Sequence, residues 1–145
     1  MTPRERTLWR TGASLIALAI VLGAFGAHAV KARVDAVALG WWETAASYHR
    51  THALGLLLIA ALYPRVESTA QRRLSLAARL IVSGIVLFSG SLYAMTLTQI
   101  KILGAITPIG GTLWIIAWLL VFFALKSSDM RYEPPREDDE VRALS

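Results

Sequence analysis

The chain contains no cysteine. That excludes disulfides, thiolate metal sites, a cysteine nucleophile, thioether-linked haem and lipoprotein acylation. Charge is also scarce: Asp, Glu, Lys and Arg make up 17% of the 145 residues, against about 25% in soluble domains. No Asp or Glu falls within any long apolar run. Proton-coupled transport usually relies on such residues at membrane depth, so the deficit argues against it. No nucleic-acid motif is present. The net charge of +5 comes mostly from basic residues at the ends of apolar runs, which suits an anionic membrane surface better than nucleic acid.

What the chain does have is apolar length. Hydrophobic residues make up 55% of it, and the mean hydropathy is +0.51. Four runs stand out: Gly12 to Val30, Ala45 to Tyr63, Leu76 to Thr98 and Ile102 to Leu125. Each approaches the roughly 20 residues needed to cross a bilayer. The expected fold is an all-α integral membrane protein. Its four-transmembrane-helix bundle occupies residues 1–125, with helices at 11–30, 45–63, 76–98 and 102–125. The first run has a competing reading as a cleaved signal peptide. Arg4, Arg6 and Arg10 precede it, and Ala27-His28-Ala29 is a small-x-small triplet.

The segment between the first two runs is patterned. Val34, Val37, Ala38, Trp41, Trp42 and Ala45 recur at steps of three and four, with Lys31, Arg33, Asp35 and Glu43 opposite. The period predicts an amphipathic interfacial helix over 33–45, its paired Trp lying among the headgroups. Residues 126–145 are charged and Pro-bearing, and read as a disordered cytoplasmic tail. Basic residues give the crossings a direction. Arg4, Arg6, Arg10, Arg65, Arg72, Arg73, Arg79, Lys126, Arg131, Arg136 and Arg142 fall on one side, and Lys31, Arg33, Arg50 and Lys101 on the other. That asymmetry predicts both termini in the cytoplasm and a bacterial inner-membrane location.

Helices in lipid pack through small residues. Ala19, Gly23 and Ala27 are four apart on the first helix, with Gly26 beside them. Gly84 with Ser91, and Ser83 with Gly90, are seven apart on the third. These stripes predict that the first and third helices lie close together. In Thr107-Pro108-Ile109-Gly110-Gly111, either Thr107 caps a helix opened by Pro108, or a helix from Ile102 kinks there. Trp114, Trp118 and Phe122 form a bulky stripe on the fourth helix, read as lipid-facing or core aromatics.

With this topology, His28, Tyr48, His52, Ser89, Ser91, Tyr93 and Thr107 share the outer half of the bundle. The plain reading is that they satisfy one another and the backbone around Pro108. The functional reading is a small-molecule or lipid-headgroup pocket. Metal or haem ligation by His28 and His52 is a weak signal without a third ligand. Catalysis lacks a carboxylate to pair with either His. His49 falls on another face and reads as interfacial. No enzyme activity, cofactor or metal is expected. The expected partners are membrane lipids, with a homo-oligomer left open. A structural, accessory or lipid-interacting role stands first. A small-solute transporter or channel stands second.

The motifs also carry a resemblance. Gly23-Ala24-Phe25-Gly26-Ala27-His28-Ala29 resembles the GAFGAHAL signature of a family of small bacterial inner-membrane proteins. So do Tyr48 with His52-Ala53-Leu54, Leu87-Phe88-Ser89-Gly90-Ser91-Leu92-Tyr93 and Ile106-Thr107-Pro108-Ile109-Gly110-Gly111, all in the expected order. The family is DUF423, with YgdD-like and YwdK-like members. The resemblance implies an uncleaved first helix, a multi-pass bundle and an inner-membrane location. It brings no reaction, substrate or cofactor. The chain departs from the pattern in Val30, where Leu is usual, and in its acidic tail.

Overall fold

The computed structural model describes residues 1–126, and these form helices arranged as four rods. α1 spans Pro3–Phe25 and runs into a π-helical turn, π1, at Gly26–Val30. α2 spans Ala36–Leu62 and ends in a 3-10 turn at Tyr63–Arg65. α3 (Ser68–Gly84), a second π turn, π2 (Ile85–Ser89), and α4 (Gly90–Thr98) make the third rod. A 3-10 turn at Lys101–Ala105 leads into α5, Thr107–Lys126. Three rods are long and apolar enough to cross a membrane: Pro3–Val30, Ser68–Thr98 and Lys101–Lys126. The expected tail lies outside the described residues beyond 126.

Local chemistry sets the ends. α1 begins well before its apolar run because Thr2 and Glu5 form a capping box. The Glu5 N–H donates to Thr2 Oγ1 at 3.2 Å and the Thr2 N–H to Glu5 Oε2 at 3.1 Å, with Pro3 opening the helix. Asp35 caps α2, accepting from the Ala38 N–H at 2.8 Å. α4 stops at Gln99, whose φ of 59° is left-handed. α5 starts at Thr107 with Pro108 in its first turn. The helix is therefore opened by Pro108 and is not kinked there.

The separate interfacial helix expected over 33–45 is not present. Those residues from Ala36 onward are the first turns of α2, which runs unbroken to Leu62. Trp42 explains the difference. It is 2% exposed, sits over Gly26 and donates its indole N–H to the Leu22 carbonyl at 2.9 Å. Burial against α1 replaces burial among headgroups, and no Pro interrupts the helix.

The rods pack in two pairs joined by α2. α1 lies mainly on α2, and α3 lies on α5. The expected pairing of the first and third helices is thus replaced. The main core runs through Leu56, Ile59, Leu74 and Ile81, all essentially inaccessible. Small residues do set the approaches, but at different positions. Gly12, Ala19 and Gly26, seven apart, are the buried small residues of the first rod. Gly23 is half-buried and Ala27 exposed. The buried face repeats every seven residues, two helical turns, whereas steps of four from Ala19 drift off it. On the third rod Gly84 and Ser91 are buried, while Ser83 is exposed and Gly90 half-buried. At Gly110 the approach is to backbone, where a Cβ would meet the Phe88 nitrogen at 2.5 Å.

Candidate functional site

Two tryptophans hold the rods at the π turns. Trp42 does so at π1, as described. At π2, Trp114 of α5 lies over Gly84 and donates its indole N–H to the Ile81 carbonyl at 3.2 Å. Both accepting carbonyls lie one turn before a π segment begins. A buried indole N–H needs an acceptor, and each finds one in the backbone of the rod it packs on.

Around Trp114 an aromatic cluster assembles. The His52 imidazole stacks on the indole, with centroids 3.6 Å apart and planes within 10°. Tyr48 lies nearly parallel to the same indole at 5.6 Å. Phe88 of π2 approaches Trp114 at 4.7 Å and Tyr48 at 4.8 Å. Tyr48 and His52 are one helical turn apart on α2, so they present adjacent rings. The glycines make this possible. Gly84 leaves room for Trp114, Gly55 for Trp118, and Gly110 and Gly111 for Phe88.

These rings border a groove of about 640 Å³ lined by Tyr48, His52, Phe88, Gly111, Trp114, Ile115, Trp118, Leu119 and Phe122. The Trp114, Trp118 and Phe122 stripe is thus a groove wall, running from a buried ring to an exposed one. His52 Nδ1 lies 2.8 Å from the Tyr48 carbonyl. A carbonyl only accepts, so Nδ1 carries the proton and the free position of a neutral ring is Nε2.

The seven outer polar residues divide into separate sets. Tyr48 and His52 line the groove. Ser91 and Thr107 tie α4 to the start of α5, with their hydroxyls 3.0 Å apart. Ser91 donates its single proton to the Phe88 carbonyl at 2.9 Å, so Thr107 is the donor in that pair. Ser89 and Tyr93 are different again. The Ser89 hydroxyl and the Tyr93 phenol are buried without a hydrogen-bond partner among the described residues. His28 joins none of these sets, because it is exposed on π1.

His49, read from sequence as interfacial, is instead 2% exposed. Neither ring nitrogen has a partner among the described residues, and its ring lies 6.3 Å from that of Tyr93. A signal for this was present: Trp42, Ala45, Ala46, His49, Ala53 and Leu56 recur at steps of three and four, and all are buried. Among the described residues, no group of three or more His, Asp or Glu could hold a metal ion.

Known relatives of the chain are named membrane proteins. The model of the family described as "Protein of unknown function (DUF423)" matches residues 22–111. That range covers π1, the Tyr48–His52 turn, π2 and the Thr-Pro start of α5. UPF0382 membrane protein YwdK of Bacillus subtilis is 45% identical over 113 residues, covering 78% of this chain and 90% of that protein. UPF0382 membrane protein SAB0533 of Staphylococcus aureus is 43% identical over 113 residues, covering 78% and 89%. UPF0382 membrane protein SERP0230 of Staphylococcus epidermidis is 44% identical with the same coverage. No solved structure matches. The chain therefore belongs to the DUF423 family of helical membrane proteins.

Proposed function

We propose that the protein crosses the bacterial inner membrane four times, with both termini cytoplasmic, and that it is a non-catalytic, lipid-interacting protein. The three apolar rods supply three crossings, and α2 supplies the fourth. Its 27 residues extend about 40 Å, enough for the roughly 30 Å hydrocarbon core. Glu43, Arg50 and both His residues lower its apolar character, but His49 and His52 are buried inside the bundle. The excess of Lys and Arg on the terminal side supports the orientation.

One observation carries the lipid-interacting reading. The groove between α2, π2 and α5 has an aromatic floor and an outer wall of exposed apolar side chains, with Ile115 at 65%, Leu119 at 51% and Phe122 at 59% exposure. In a bilayer such a wall meets acyl chains, and the groove opens sideways into them. Native mass spectrometry of protein extracted in its own lipids tests this. A stoichiometric neutral lipid that is lost in Leu119→Trp is expected. A lipid-free spectrum would oppose the reading. A second reading, passage of a small solute, draws on His49, Ser89 and Tyr93, buried without a hydrogen-bond partner among the described residues. Uptake into proteoliposomes that fails in His49→Phe would favour it.

A further inference from the structure

We propose that the groove binds an uncharged lipid with a hydroxylated aromatic ring and an apolar tail, the chemistry of a membrane quinol, through a hydrogen bond to His52 Nε2. This rests on reading α5 as a crossing with the groove open to lipid. His52 is 6% exposed, and its Nδ1–H is committed to the Tyr48 carbonyl. Nε2 of the neutral ring is then a bare acceptor with no partner among the described residues, on a ring that lines the groove. An unpartnered acceptor here calls for a ligand that donates.

Depth selects the kind of donor. α5 has 20 residues, about 30 Å of helix, which matches the hydrocarbon core. Trp114, on which His52 stacks, lies two turns from Thr107, about 10 Å inside. An ionised phosphate is strongly disfavoured at that depth, and among the described residues no Lys or Arg lines the groove. A neutral hydroxyl meets both conditions. Tyr48, 47% exposed, and the half-buried Phe88 line the groove and offer ring surface to a planar group. Leu119 and Phe122 continue the groove toward its apolar end. Its volume of about 640 Å³ is in the range of small-molecule sites.

The oxidation state of the ligand provides the discriminating test. A quinol presents O–H donors to Nε2. The corresponding quinone presents only carbonyl acceptors. The probes are a tritiated short-tailed benzoquinol and its quinone, with the full chain in phosphatidylcholine nanodiscs. Saturable quinol binding is expected, roughly tenfold tighter than quinone binding, as one hydrogen bond allows. His52→Phe keeps a stacking ring and removes the acceptor, so the preference for quinol should be lost. Leu119→Trp fills the groove from an exposed position, and should abolish saturable binding while thermal unfolding stays unchanged.

Equal affinity of the wild type for both forms would overturn the proposal, as would discrimination that survives His52→Phe. Brominated phosphatidylcholine separates this from the broader reading when Trp9 and Trp41 are replaced by Phe, which leaves Trp118 of the groove as the accessible indole. Quenching of indole fluorescence without saturable ring-lipid binding would remove the quinol and leave the lipid-facing groove. Absence of both would remove the lipid-facing groove as well.

Discussion

The two π turns are built alike and surrounded differently. Each rod entering a π segment offers a carbonyl, Leu22 or Ile81, to an indole N–H. Each carries a glycine, Gly26 or Gly84, beneath that indole. At π1 the device is closed: Trp42 is covered by Phe25 at 5.9 Å and Tyr93 at 4.6 Å. At π2 the indole is also buried, but His52 and Tyr48 stack along it and continue into an open groove. One lock therefore holds two helices together, and the other holds two helices together and forms the floor of a site.

That comparison can be broken by substitution. Trp42→Ala and Trp114→Ala should each destabilise by about 3–5 kcal/mol, the usual range for a buried aromatic truncation. Reversible unfolding in mixed micelles would measure this. Only Trp114→Ala should also abolish ligand binding in the groove. If Trp42→Ala does so equally, the two locks are not independent.

Added volume should act next. Gly110→Ala places a Cβ against the Phe88 backbone, which cannot step aside, and Gly84→Ala places one against the Trp114 ring. About 1–3 kcal/mol of destabilisation is expected for each, read in the same unfolding experiment. Gly26→Ala should resemble Gly84→Ala, because it meets Trp42 in the same way. A neutral result at Gly26 alone would show that π1 yields where π2 does not.

Shrinking the indoles is the milder version. Trp42→Phe and Trp114→Phe remove the N–H donor and part of a buried ring, at about 1 kcal/mol for the hydrogen bond and about 1 kcal/mol more for the lost packing. The smallest effect belongs to Gly40→Ala. Among the described residues nothing lies within 4 Å of a Cβ there, so the better helix former should stabilise slightly, by about 0.5–1 kcal/mol. Destabilisation at Gly40 would mean that α2 has a neighbour at that point.

Apolar run length made the rods legible in sequence, but it reported only their apolar portions. α1 reaches back to Pro3 because a capping box outlasts the apolar run. α3 reaches back to Ser68 because Ala70, Leu74 and Ala77 already form a buried stripe among its polar residues. The two Trp of the 33–45 segment fitted a headgroup belt by composition. Only the glycine facing Trp42 across the interface turned that residue inward, and facing residues cannot be read from one sequence. The π turns were hidden for a related reason: one extra residue in a helical turn leaves the apolar composition unchanged, so run length does not report it. In the candidate site, Tyr48 and His52 were legible as an i, i+4 pair. Their stacking on Trp114 depends on α2 and α5 packing together, which spacing alone does not specify.

The absence of cysteine allows a direct test of the groove. A nitroxide attached at Leu119→Cys, in lipid bilayers, can be probed by collision with oxygen, which partitions into lipid, and with a water-soluble nickel chelate. A lipid-facing groove predicts strong relaxation by oxygen and little by nickel. Strong relaxation by nickel would place the groove in water, and exclusion of both would place it inside a protein interface; either result contradicts a groove that opens to the membrane.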